Sequence, residues 1–222
     1  ENLTPLPVRW YVVGSDHADH TGGNGALPDG VTYIVHPTSL HSLRSEAQDQ
    51  KGANAIVSAS SRLIAEDRRT VDIGGRNVEV LHLGRAHTGG DLLVHVPENG
   101  ILFMSEVFFN RVFPAMRTAR PSEWLSTIDA ALAMQAQVYV PGHGFVEEGL
   151  RSRLELVEFR RAIQQLIDEA KKLHASGLSV EEAVAQADWG PQGNWMLADS
   201  QKIIAIRQIY AEIEGTLDRP GR

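Results

Sequence analysis

Three short segments limit what this chain can become. "SDHADH" (15–20) follows the apolar run Val8–Val13, "GRAHTGGD" (84–91) follows Val78–Leu83, and "PGHG" (141–144) follows Val138–Val140. Each places histidine or acid just past a β-type run. Strands of one sheet end on one edge, so these loops can meet there. His17 and His20 are three apart and cannot share a face of a strand, where side chains alternate with period two. A tight loop can bring them together, and Gly22, Gly23, Gly84, Gly89, Gly90, Gly142 and Gly144 allow the sharp backbone paths it needs. The chain has no cysteine, so a metal there must be held by His, Asp and Glu.

Periodicity supplies the frame. Val8–Val13 and Thr32–His36 read as strands and Pro37–Gln50 as a helix. Arg69–Ile73 and Asn77–Leu83 form a hairpin turned by Gly74-Gly75, and Asp91–Val96 with Ile101–Ser105 flank the turn "PENG". Ser122 is expected to cap a helix running to about Met134, ahead of a short strand at Val138–Val140. From Ser152 the pattern turns helical, with a capping box at Ser179 and Glu182 and a last helix over Lys202–Glu214. Mixed strands with helices segregated by region predict an α+β fold or a layered α/β/α sandwich. Neither repeat nor linker breaks the sequence, so the expectation is one domain over 1–222, with 151–222 as a C-terminal helical layer.

A net charge of −7 without any run of Lys and Arg gives no footprint for a phosphate backbone. The expected partner is a small-molecule substrate, not nucleic acid. No apolar window reaches the ~18 residues of a membrane span, and residues 1–20 lack the order of a signal peptide, so no membrane partner is expected and no compartment is written here.

"HADHTGGN", "GRAHTGGDLLVHVPENGILF" and "VYVPGHG", in this order and spacing, resemble the metallo-β-lactamase superfamily, from Val8 to about Gly144. The resemblance implies the αββα sandwich of that family with a helical C-terminal region. It implies a first metal position at Ser15, His17 and His87, and a second at Asp19, His20 and His143. Glu106, in "FMSEVFF", stands where the family has a bridging Asp, and Ser15 stands in place of a histidine. The implied cofactor is zinc, one or two ions, with iron or manganese left open. The implied activity is a metal-dependent hydrolase in which a metal-activated hydroxide attacks an ester, thioester, lactone or amide bond of a small substrate, with Asp19 orienting the water and taking its proton. Two alternatives stand beside it: a degenerate member with a binding or scaffolding role, fed by Ser15 and Glu106, and an iron-dependent oxidoreductase of the same fold. Superfamily members carry several strands before the His motif, whereas fourteen residues precede Ser15 here. This gives the expectation that part of the N-terminal half is lacking, and that a missing segment or another copy of the chain completes the sheet.

The remaining candidates read as structure. His36, His41, His82, His95 and His174 are expected to be ordinary polar residues. Trp10 and Trp124 are expected in the core, and Trp189 and Trp195, in "DWGPQGNW", either as a pocket wall or as packing. For Arg85, Arg111, Arg117 and Arg120 solubility is the favoured role, with room for one or two to hold a substrate carboxylate.

Overall fold

The computed structural model describes residues 6–46 and 51–217. β1 (Trp10–Val12), β2 (Thr32–Val35) and β3 (Arg62–Ile64) form a three-stranded parallel sheet in that order. The short α1 (Ala18–Thr21) follows β1; α2 (Pro37–Glu46) and α3 (Lys51–Ser58) lie between β2 and β3. A second sheet has the order β4 (Arg68–Asp72), β5 (Asn77–Leu81), β6 (Leu93–Val96), β7 (Ile101–Phe103) and β9 (Val138–Val140). Its pairings are antiparallel up to β7, which meets β9 in parallel. Two short strands, β8 (Phe109–Asn110) and β10 (His143–Gly144), pair in parallel beside it. Helices α4 (Pro121–Ala133), α5 (Gly149–Ala175), α6 (Val180–Gln186) and α7 (Ala198–Ile213) complete the order.

Alternation along the strands makes the layers. In β2, Tyr33 and Val35 face α2 and α3 in a cluster with Leu40, Leu43, Ala53 and Ile56. Ile34 points the other way, into an inter-sheet cluster with Val71, Val80 and Leu92. On the second sheet, Leu81, Leu93, Leu102 and Tyr139 turn outward onto Trp124, Phe159, Ile163 and Ile209 of the C-terminal helices. The result is helix, sheet, sheet, helix. Three strands cover five, and at the uncovered side a groove of about 330 Å³ is lined by Tyr11, Val12, Leu92, Val94, Phe103 and Val140. Among the described residues, no helix is long and apolar enough to cross a membrane.

Several sequence expectations need correction. Ser122 does not cap α4: Pro121 opens that helix, and the freed Ser122 N–H and hydroxyl donate to the Glu212 carboxylate of α7, at 3.1 and 2.6 Å. A carboxylate from a neighbouring helix thus serves the positive end of α4. The helix expected over Pro37–Gln50 is described to Glu46, and 47–50 lie outside the described residues. The helical layer begins at Gly149 rather than Ser152, and the last helix begins at Ala198 rather than Lys202. The capping box at Ser179 and Glu182 is present. Helix α3 and strand β3 had no counterpart in the sequence reading.

Candidate metal centre

The chain leaves β1 through Val13 and turns at His17, whose carbonyl accepts the N–H groups of His20 and Thr21, each at 3.0 Å. This one turn of helix lets residues three apart face one centre. The buried Thr21 closes it by donating its hydroxyl to His17 O at 3.1 Å. Glu106 arrives from the far sheet, just after β7. Its neighbour Ser105 holds the left-handed φ of 48°, a strained backbone for a non-glycine residue, and the turn aims Glu106 inward at 2% exposure. His143 opens β10, paired in register with Phe109.

The six expected residues come together in two groups. In the first, His17 Nδ1 and His87 Nε2 lie 2.8 Å apart. His87 Nδ1 is 2.8 Å from the Ala115 carbonyl, which only accepts, so that nitrogen carries the proton. Thr118 donates its hydroxyl hydrogen to His87 O at 3.2 Å, so the 3.0 Å contact at His17 Nε2 puts a proton on that ring nitrogen too. Both inner nitrogens are left as lone pairs pointing at one another, an arrangement that calls for a cation between them.

The second group holds Asp19, His20, Glu106 and His143, whose ligand atoms all lie within 4.8 Å of one another. His20 Nε2 is 3.1 Å from Glu106 Oε1 and 3.3 Å from Asp19 Oδ2, and His143 Nε2 is 3.3 Å from both Asp19 Oδ2 and Glu106 Oε2. Glu106 Oε2 is also 3.7 Å from His87 Nε2, so one carboxylate reaches both groups. Despite these distances, His20 Nε2 and Glu106 Oε1 are buried without a well-formed hydrogen bond to any partner. Two orphaned buried atoms, two opposed lone pairs and a donor set of nitrogen and carboxylate oxygen fit a divalent metal.

The electrostatics follow from this packing. Burial pulls His87 down to about 4, and it also lowers His17, aided by the nearby Arg117. Burial opposes charge on His20 and the Glu106 carboxylate raises it, with a net upward shift; His143 is raised foremost by its contact with Glu106. Burial would raise Glu106, but His143 and His20 hold it down at about 2.

Ser15 stays out of the cluster. It is fully buried, and its Oγ accepts the His17 N–H at 3.4 Å. The other five histidines also lie elsewhere. His36 stacks on His82 with ring centroids 4.1 Å apart, His95 meets Glu79 at 2.8 Å, and His174 meets Glu214 at 3.4 Å. Trp124 is fully buried and Trp10 half-buried beside the inter-sheet cluster. Trp189 and Trp195 are packing residues, against Phe113 and beneath Arg111 respectively. Arg85 forms a two-pronged pair with Glu123, and Arg111 another with Glu155.

Two positioning residues escaped the sequence reading. Asp91 is fully buried and accepts both the N–H and the hydroxyl of Thr88, at 2.8 and 2.7 Å, which fastens the loop that carries His87. An acid four residues after a histidine in a glycine-rich loop was the available signal. Thr118, which orients both His17 and His87, gave none.

In front of the cluster lies a cavity of about 240 Å³. It is lined by His17, Asp19, His87, Glu106 and His143 together with Phe109, Val112, Phe113, Ala115, Arg117, Leu197, Gln201 and Ile204.

A sequence profile of the metallo-beta-lactamase superfamily matches residues 16–143, more than half of the chain, and the chain belongs to that superfamily. Among curated relatives, the alpha subunit of 2,4-dinitroanisole O-demethylase from Nocardioides sp. (strain JS1661) is 24% identical over 139 residues, 62% of this chain and 40% of the relative. The linear primary-alkylsulfatase of Pseudomonas sp. (strain ATCC 19151) is 26% identical over 148 residues, 64% of this chain and 28% of the relative. The chain therefore spans well under half the length of these relatives. Among solved structures, the stereoselective inverting sec-alkylsulfatase Pisa1 from Pseudomonas sp. superposes with a TM-score of 0.68 at 17% identity, over 99% of this chain and 44% of that one. A metallo-beta-lactamase from Pontibacter korlensis gives 0.56 at 21%, over 72% of each chain. At these identities the likeness establishes the fold. The αββα architecture with a helical C-terminal region is shared, and the alkylsulfatase match reaches through the helical tail.

Proposed function

We propose that the chain is a metal-dependent hydrolase acting on an ester-type bond of a small, partly apolar substrate. The observation that carries this reading is the convergence of His17, His87, Asp19, His20, His143 and Glu106 in two groups sharing the Glu106 carboxylate, with all of them but His20 lining one cavity. His17 and His87 would hold one ion and Asp19, His20 and His143 another, with Glu106 between them; zinc suits this set, and iron or manganese is accepted by the same ligands. When bound, the metal supplies Lewis acidity and brings water into its nucleophilic range near pH 7.

The chain's own groups do the rest. Asp19, whose side chain is 58% exposed beside the buried Glu106, is the carboxylate open to the cavity, and it orients the attacking water and receives its proton. The apolar walls at Phe109, Val112, Phe113, Leu197 and Ile204 hold the organic part of the substrate and keep bulk water away from the reacting bond. Two of the similar proteins are alkylsulfatases by name. Sulfate esters therefore join carboxylic esters, thioesters, lactones and amides as substrates to be tried.

The test is metal analysis of the purified protein followed by a chromogenic panel that includes 4-nitrophenyl acetate and 4-nitrophenyl sulfate. Asp19→Ala should lose turnover by about a hundredfold or more, since one change removes a ligand and a proton acceptor. Metal retained without turnover of any ester would instead favour a binding role, and equal activity in the variant would trace the turnover to another source.

A further inference from the structure

The cavity in front of the metal cluster does not end at α7. Arg117 and Ile204, which line it, also line a second and larger cavity of about 690 Å³, walled by Thr118, Arg120, Arg207 and Gln208. Positions 204, 207 and 208 form one face of α7, so the helix offers a single surface to both spaces. Three guanidinium groups thus meet around one chamber in a chain whose net charge is −7.

Arginines elsewhere on this surface are spent on carboxylates: Arg85 on Glu123, Arg111 on Glu155, and Arg160 on Asp129 at 2.6 and 2.7 Å. At Arg117 and Arg207 the pattern changes. Among the described residues no carboxylate comes within ion-pair distance of Arg117. Arg207 meets Glu181 only at 4.0 Å, between two exposed side chains, a contact of small energetic weight. The Arg117 and Arg207 guanidinium groups, set in one concave space with donors to spare, match a planar or tetrahedral oxyanion.

Resting on the hydrolase reading, we propose that this chamber is an anion subsite: the substrate carries a carboxylate, sulfate or phosphate on Arg117 and Arg207, apart from the bond cut at the metal cluster. An apolar body crosses between the two spaces along Ile204 and Leu197.

Two measurements test this on the metal-loaded protein. By calorimetry, 4-phenylbutyrate should bind about tenfold or more tightly than its neutral amide, and Arg207→Gln or Arg117→Gln should remove that preference. In turnover, mono(4-nitrophenyl) glutarate should be favoured over 4-nitrophenyl butyrate in kcat/KM. Arg207→Gln should shrink that ratio about tenfold, while Arg160→Gln leaves it at the wild-type value. Equal binding of acid and amide, or carboxylate binding untouched by both variants and abolished by a chelator, would overturn the subsite, because the anion would then sit on the metal. Turnover of both esters without preference sinks the subsite and leaves the hydrolase reading standing. A calorimetric preference with no turnover of any ester does the reverse.

Discussion

Asp91 shows how a single buried side chain couples the centre to pH. Burial raises its carboxyl to about 7 from an ordinary 3.8, against the two hydrogen bonds from Thr88 that pull it down. Between those values the folded chain holds a proton that the unfolded chain has released, so stability falls as pH rises through the window and is greatest below it. Asp91→Asn is neutral throughout and should lose this slope, so that wild type declines relative to it by on the order of 1–3 kcal/mol between pH 4 and 7.5. Urea midpoints of both proteins in chelator would show it; parallel pH profiles would mean that burial does not raise the Asp91 carboxyl and that it is ionised in the fold across this range. Gly142 acts on geometry alone. A Cβ there would collide with Glu106 Oε1 and Ser105 O, both of which are fixed by the strained turn at Ser105. Gly142→Ala should therefore displace the shared carboxylate and weaken metal binding at least about tenfold, read by competition with a chromogenic chelator; unchanged affinity would free Glu106 from any such constraint.

At the scale of elements, α3 explains both a failure of sequence reading and a device of the fold. Its sequence, "KGANAIVS", carries Gly52 and Asn54, poor helix formers in a short run. The reason for the glycine is a long-range contact: a Cβ on Gly52 would run into the Thr21 carbonyl of the turn that holds His17 and His20. No local pattern can announce that, and β3, three half-buried residues, is too short to show alternation. Ser122 misled for a similar reason, since its partner Glu212 lies ninety positions away. By contrast β9 and the glycine hairpin between β4 and β5 were legible, because alternation and turn chemistry are local. So were the six converging residues, whose side-chain chemistry at strand ends carries its own signal, whereas Thr118 and Asp91 act through partners that folding supplies. Gly52→Ala should push α3 from the motif turn and cost about 1–3 kcal/mol with a measurable loss of metal affinity, although alanine is the better helix former. Higher stability in the variant, as propensity alone predicts, would mean that the contact with Thr21 is not needed.

For the whole molecule, the cluster joins two layers that also meet through a small apolar core and a few hydrogen bonds, such as Leu92 N–H to Gly14 O at 3.1 Å and Ser39 Oγ–H to Gly90 O at 3.1 Å. Asp19 and His20 hang from the three-stranded sheet, Glu106 and His143 from the five-stranded one, and the inter-sheet core between them is small, with five buried residues. A metal bound only by the folded chain stabilises it by about 2.7 kcal/mol at a hundred times its dissociation constant, so a chelator should lower the unfolding midpoint. The two positions differ in what they offer. One has two neutral rings and a share of Glu106, since the buried Ser15 hydroxyl faces the His17 amide. The other has two rings, the Asp19 carboxylate and the closer oxygens of Glu106. More negative charge and a fuller ligand set favour the second. At limiting zinc the protein should therefore carry closer to one ion than two, beside Asp19, and filling the place between His17 and His87 should need added metal. Metal content per chain across a zinc titration, with anomalous scattering to locate each ion, decides this. Two equally filled positions at limiting metal, or an ion beside His17 and His87 alone, would show that the imidazole pair and not the carboxylates sets the order of binding.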